Sequence, residues 1–245
     1  MKKLTLLFAA AVVAMAFAAD ADAQISVGAG YGLASHNLKI GGERMDSDDS
    51  YLDTGMSGFW IGATYDYNIM KASWGDLAVQ SGLTYGFYGK KFDEEEVEGS
   101  RFKTSRRDHY LDIPVNVKWS YDVLPGKLKA HAFAGPAFSF GLGSNVLSKT
   151  ESGDDYYKSR YNLYTGKVKT EYRTGDQTGK ESDKGDPLFS MFDLKFGIGI
   201  GATVLDLFDV KLGYNIGLLN RYKGEDKKNI KSHTDVFYVG VAYNF

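Results

Sequence analysis

The sequence predicts an all-β fold: an eight-stranded antiparallel up-and-down transmembrane β-barrel with long extracellular loops. Three observations predict it. Tyr110–Tyr121, YLDIPVNVKWSY, separates completely at period two. Leu111, Ile113, Val115, Val117, Trp119 and Tyr121 fall on one face; Tyr110, Asp112, Pro114, Asn116, Lys118 and Ser120 fall on the other. That is a strand with one oily and one wet side. The composition agrees, since 14% aromatics and 29 Gly against only 4 Pro in 245 residues favour strands and tight turns over helices. The third observation is the N-terminus. Basic Met1-Lys2-Lys3, apolar Leu4–Ala19 and the small-x-small run Ala21-Asp22-Ala23 form a secretory signal, with residues 1–23 cleaved and 24–245 the barrel domain. No later segment is apolar for long enough to be a membrane helix, and a closed barrel is the other way to span a bilayer.

Each strand follows from its alternation. Ile25–Ser35 sets Ile25, Val27, Tyr31 and Leu33 against Ser26 and three glycines. A polar loop, His36–Gly55, precedes Met56–Asn68, with Phe59, Ile61, Tyr65 and Tyr67 on its oily face. A short connection leads to Asp76–Lys90, and a charged, loop-like stretch, Lys91–Ser105, leads to the strand at Tyr110. Pro125-Gly126 reads as a type II turn. Centring a hairpin there pairs Trp119 with Ala130 and Val117 with Ala132, and sets Lys118 beside His131 inside. The same register brings Pro114 to Gly135, next to Pro136, where missing ladder donors predict a local bulge or distortion. Residues 144–188 form the longest stretch without a core pattern, an extracellular loop with a surface hairpin turning at Thr165-Gly166. Phe189–Val204, Val210–Asn220 and Asp235–Phe245 complete eight strands. Their connections alternate long and short. Short turns on the periplasmic side would leave both termini periplasmic and four long loops outside the cell.

YLDIPVNVKW, HAFAGPAFSFGL, FDLKFGIGIGATV and the closing FYVGVAYNF resemble the outer-membrane β-barrel domain family of the Bacteroidetes, whose members are often labelled porin-family or PorT-like. The resemblance covers essentially the whole mature chain, and implies an outer-membrane location but no single activity. Tyr243 and Phe245, aromatic at alternate positions, resemble the signal read by the barrel-assembly machinery.

Candidate sites divide into interior and surface sets. Gln80, Asp112, Asn116, Lys118, His131, Asp193, Lys195 and Lys211 project inward and mix both signs, as mutual satisfaction of buried charge requires. Eight strands leave an interior just filled by side chains, so this set is structural rather than a selectivity lining. On the proposed hairpin, Tyr157, Arg160, Tyr161, Tyr164, Tyr172 and Arg173 are of types enriched at interface hot spots, for an unknown surface partner. Outer-membrane lipid and lipopolysaccharide are the other expected partners.

Several chemistries are not supported. The net charge of −2 gives no basic footprint for nucleic acid, and zero cysteines excludes thiolate chemistry. Gly175–Lys180, GDQTGK, is one residue short of a phosphate loop, with Glu181 where a Ser or Thr is needed. Asp46, Asp48 and Asp49 offer oxygen ligands but lack the glycine and distant Glu of an EF-hand. His36, His109, His131 and His233 show no zinc spacing. Asp108, His109 and Asp112 imitate part of a hydrolase triad, making an enzyme the third reading, after a narrow ion or solute channel. The leading expectation is a barrel without catalysis or cofactor that anchors loops at the cell surface.

Overall fold

The computed structural model describes residues 23–44 and 51–245. The expected signal before Ala23 and the acidic Asp46, Asp48 and Asp49 lie outside the described residues. Within them there are thirteen strands and no helix. Eight long strands follow one another around a closed ring: β1 (Ala23–Ile40), β3 (Thr54–Ala72), β4 (Gly75–Lys91), β6 (Ser100–Leu124), β7 (Leu128–Ser152), β11 (Phe192–Val204), β12 (Phe208–Gly217) and β13 (Ile230–Asn244). Every neighbouring pair is antiparallel, and β13 closes on β1 from Ser26↔Asn244 to Ile40↔Ile230. The five further strands stand where loops were expected: β2 (Glu43–Arg44), β5 (Glu95–Val97), β8 (Asp155–Asn162), β9 (Lys167–Thr174) and β10 (Gln177–Lys184).

The outward face is apolar over a limited height. Outward apolar runs cover 25–33 on β1, 111–121 on β6 and 237–245 on β13. A tilted strand needs about nine to eleven residues to cross a hydrocarbon core. Val117, Ile198, Ile200 and Val241 at mid-height are all about half exposed. Tyr31, Phe59, Phe140, Phe192 and Phe237 ring the upper end, and Tyr67, Trp119, Tyr121, Phe208 and Tyr243 the lower. Beyond the upper ring the outward positions turn polar, at Ser35 and Asn37 on β1, Arg107 on β6 and Asp235 on β13.

Three expectations about the middle hairpin need correction. Trp119 pairs with Ala132 and Val117 with Ala134, two residues from the expected register, so Ser120 rather than Lys118 faces His131. The turn does use Gly126 with φ 67, and Lys127 N–H donates to Leu124 O at 2.9 Å. The observed pairs centre between Pro125 and Gly126, one residue later than the expected ones, and a one-residue irregularity between Asp122 and Leu124 adjoins the turn. Because the slip is two residues, the facing is unchanged. Pro114 stands opposite Ala137 rather than Gly135, and the distortion expected there takes the form of a lapse: bridges stop at Pro114↔Ala137 and resume at Val117↔Ala134 in the same register. A second irregularity on β6 lies higher, between His109 and Tyr110.

The long loops are corrected more heavily. Alternation weakens above Tyr110, yet β6 and β7 stay paired up to Arg101↔Glu151. Residues 144–188 are not an open loop with one hairpin. The upper part of β7 pairs β8, β8 pairs β9, and β9 pairs β10, which continues the ring's wall as a four-strand sheet.

Candidate functional site: a filled interior under a capped mouth

Inward positions of the ring stack in three tiers. In the lowest, Lys118 Nζ donates to Asp66 Oδ2 at 2.7 Å, Gln80 Nε2 to Asp66 Oδ1 at 2.8 Å, and Asn116 Nδ2 to Gln80 Oε1 at 3.2 Å. Across the ring His131 Nε2 meets Asp209 Oδ1 at 2.6 Å, and Thr203 Oγ1 donates to the same oxygen at 3.2 Å. Strand alternation places them, since each sits at odd spacing from an outward apolar neighbour.

The middle tier is aromatic and cationic. Lys195, fully buried, donates to Asp112 Oδ1 at 3.4 Å and lies 4.9 Å from the Tyr110 ring centre. Lys211 lies 5.2 Å from the Trp60 ring centre. Asp193 accepts from Leu219 N–H at 3.4 Å, and its Oδ2 has no partner among the described residues. The space left at this level is about 60 Å³, bounded by Trp60, Tyr88, Asp112, Lys211 and Tyr238 among others. That admits water-sized occupants, far below the several hundred Å³ of a ligand pocket.

The upper tier holds most of what the sequence did not disclose. Arg106 clamps Asp108 with Nε at 3.1 Å and Nη2 at 2.8 Å. Tyr110 Oη (2.8 Å) and Ser144 Oγ (2.6 Å) donate to Asp108, and His36 Nε2 lies 3.0 Å from its Oδ2. Thr234 Oγ1 meets His36 Nδ1 at 3.1 Å. Arg221, just after β12, donates to Thr234 Oγ1 at 3.1 Å, Tyr164 Oη at 2.7 Å and Ser190 O at 2.8 Å. This tier lies beyond the apolar runs. Burial, with the guanidinium of Arg106 beside it, lowers the His36 imidazole to about 4. Arg106 and the His36 hydrogen bond overcome burial and hold the Asp108 carboxyl well below the ordinary carboxylate range.

A cap closes the mouth above that tier. The turn between β8 and β9 drives Leu163 and Tyr164 down into the ring, leaving them 0% and 5% exposed. Leu163 N–H donates to Ser144 O at 2.8 Å, and Leu163 O accepts from Leu188 and Phe189 N–H at 2.9 and 3.1 Å. Tyr164 fits because Gly141 lacks a side chain; a Cβ there would stand 2.4 Å from the ring. Ala34, Met56, Tyr88, Val146, Phe189 and Val236 complete an apolar cluster around these two residues.

The grouping behind the third, enzymatic reading does not form. Asp108 and His109 are consecutive in one strand and point to opposite faces. His109 looks outward, with Nδ1 2.6 Å from Tyr85 Oη and its ring 4.9 Å from Phe87. Thr234, His36 and Asp108 do stand in line, but at 1%, 3% and 0% exposure they have no room for a substrate.

The six hairpin residues do not form one patch either. Tyr164 is in the cap. Tyr157 faces Tyr172 across the β8–β9 ladder, on the same side as Tyr161, whose Oη donates to Asp186 O at 2.6 Å. Arg160 and Arg173 point to the other side. At the lower end Tyr243 lies 4.9 Å from Phe245 and 5.7 Å from Phe208, ring centre to ring centre.

The residues missed by sequence reading are His36, Arg106, Asp108 in this role, Tyr110, Ser144, Arg221 and Thr234. One signal was present: Arg106, Asp108 and Tyr110 share the inward parity of Asp112. Arg221 lies outside the ring strands, and only the tertiary fold brings it in.

Residues 17–223 match the family described as outer membrane protein beta-barrel domain. No curated protein matches the chain. Among solved structures, Ail of Yersinia pestis, in complex with the heparin analogue sucrose octasulfate, is similar at 14% identity and TM-score 0.41, over 91% of this chain and 99% of that one. The outer membrane enzyme PagL is similar at 12% identity and TM-score 0.43, over 86% and 97%. Neisserial surface protein A is similar at 13% identity and TM-score 0.35, over 90% and 97%.

Proposed function

Because this chain belongs to the outer membrane protein beta-barrel domain family, we propose that it is a non-conducting, non-catalytic anchor. It holds a rigid external sheet at the cell surface for interaction or envelope integrity. The observation that carries this reading is the interior, filled at three levels and shut by Leu163 and Tyr164. A channel needs a continuous aqueous path and an enzyme needs a cleft. The tight turns at 73–74, 125–127 and 205–207 lie at the end of the ring where β1 begins and β13 finishes. Short turns are periplasmic in such barrels, which puts both termini there and β8–β10 outside. The Bacteroidetes-type motifs quoted above favour that lineage, and the cleaved signal 1–23 supplies the export route. Lipid of the outer membrane, the barrel-assembly machinery and a surface partner are the partners this reading requires. Planar-bilayer recording on refolded protein tests it: no reproducible conductance is expected, and nanosiemens-scale steps would replace the anchor with a channel.

A further inference from the structure

The outward face of the β6–β10 wall, just above the apolar belt, is rich in cations. Alternation and register put Lys103 and Arg107 of β6, Lys149 of β7, Lys158 and Arg160 of β8 and Lys169 of β9 on this one side. Four carboxylates meet it: Glu94, 3.3 Å from Lys103, Glu96, paired with Arg101 across the β5–β6 ladder, Glu151 and Glu171. Glu151 and Glu171 are engaged as well, Glu151 with Lys149 and Lys103, and Glu171 with Lys180 at 3.2 Å and Lys158 at 3.7 Å. Arg107 and Arg160 are exposed and have no carboxylate partner among the described residues. Arg106, next to Arg107 but on the inner face, is satisfied by Asp108 and by Tyr51 O. The two free guanidinium groups border a hollow of about 140 Å³, completed by Ser105, His109, Asn145 and Leu147. On the opposite wall Asn37 Nδ2 donates to Asp235 Oδ2 at 3.0 Å, and Lys39 stands across from Lys231 further up the ladder.

Height identifies the ligand. His109 lies against Phe87 in the upper aromatic tier, and Arg107 stands two residues before it, about 7 Å further up the strand. That is where a lipid's acyl chains end and its headgroup begins. A guanidinium fork matches the oxygens of a phosphate, and two forks around a hollow with amide and hydroxyl donors accept one closely. A soluble anion would gain nothing from a site flush with the belt, whereas a lipid places its chains on Leu142 and Phe140 below, 41% and 39% exposed.

We propose that this face binds the phosphate of a phosphorylated glycolipid in the outer leaflet, with Arg107 and Arg160 as its first contacts and the lysines above them steering the headgroup. The proposal rests on the outward orientation of β8–β10 argued under the proposed function.

Native mass spectrometry of the full refolded chain, released from micelles doped with a diphosphorylated glycolipid or its dephosphorylated form, tests it. Wild type should retain the phosphorylated lipid alone. R107Q/R160Q should retain it on the order of tenfold less, the scale on which two cations act near a charged surface. K39Q/K231Q, on the opposite wall, should match wild type. Should R107Q/R160Q fail to show the heat-resistant mobility of the folded barrel, R160Q/K169Q, both on accessory strands, carries the same prediction. Equal retention of both lipids, or undiminished retention by the folded variant, overturns it. So does full displacement by inorganic phosphate or a soluble polyanion, which would make the site one for free anions. A membrane-impermeant amine reagent on intact cells separates the two readings. Unlabelled Lys158 and Lys169 would sink the orientation itself, while labelling without lipid retention would sink the lipid site alone.

Discussion

At the scale of single residues, His36 and Asp108 make the fold sensitive to acid. His36 faces Asp108, Arg106, Tyr110 and Thr234, with Arg221 close enough to lower its affinity for a proton. Its folded value of about 4 lies below the unfolded 6.5, so the fold favours the neutral ring. The contribution is complete above pH 6.5 and is lost as pH falls from there towards 4. Asp108, held low by Arg106, adds a contribution present above the ordinary carboxylate value and lost below it. Both act in the same direction, on the order of a few kcal/mol in sum. The urea midpoint of refolded wild type should therefore fall between pH 7 and pH 4.5. H36Q, which cannot titrate there, should lose a large part of that slope; an unchanged slope would remove His36 as the cause. Little of this was legible in the sequence. His36 and Asp108 lie 72 positions apart, and β1 and β6 carry them above the stretch where oily and wet residues alternate cleanly. The lower tier was more accessible because Gln80, Asn116 and Lys118 sit inside strictly alternating strands.

At the scale of elements, the β8–β9 unit is both an external strand pair and a stopper. A loop serving only as surface could be removed without penalty, and the sequence suggested as much, because Ser, Lys, Asp and Gly dominate residues 144–188. Polarity hid the two inserted residues, Leu163 and Tyr164, which look like ordinary hairpin residues until the turn is seen to bend inward. Replacing 153–183 with a Gly-Ser linker should therefore leave the ring able to form but weaken it. Arg221 would lose Tyr164, and the apolar cluster would lose two of its members. Loss of one buried Leu-sized side chain alone costs about 2–5 kcal/mol. L163A should show a loss of that size in urea, while T165A, exposed at the same turn, should show almost none. Equal effects would mean that the cap contributes nothing to stability.

At the scale of the whole molecule, the apolar belt demands lipid. Val117→Arg sets a cation on the outer face near mid-height, with an expected penalty of about 2–4 kcal/mol in liposome refolding. Asn116→Arg, one residue away, points into the lower tier, and its penalty should instead respond to Lys118→Met, which removes a neighbouring cation. If the V117R penalty responded to K118M as N116R does, the two faces would not be separate environments. The alternation that reveals the belt is the part of this fold best written in the chain, since a period of two is a local property. The closed seam is not local. Ser26 donates to Asn244 at 2.6 Å across 218 positions of sequence. Assembly therefore has an obligatory order. The first strand must wait, with one edge bare, until the last has been made and threaded into place. A half-built copy is an open ribbon with two adhesive margins. Slow, escorted completion is thus a requirement of the topology, and the time spent unsealed sets how often such a copy joins to a stranger.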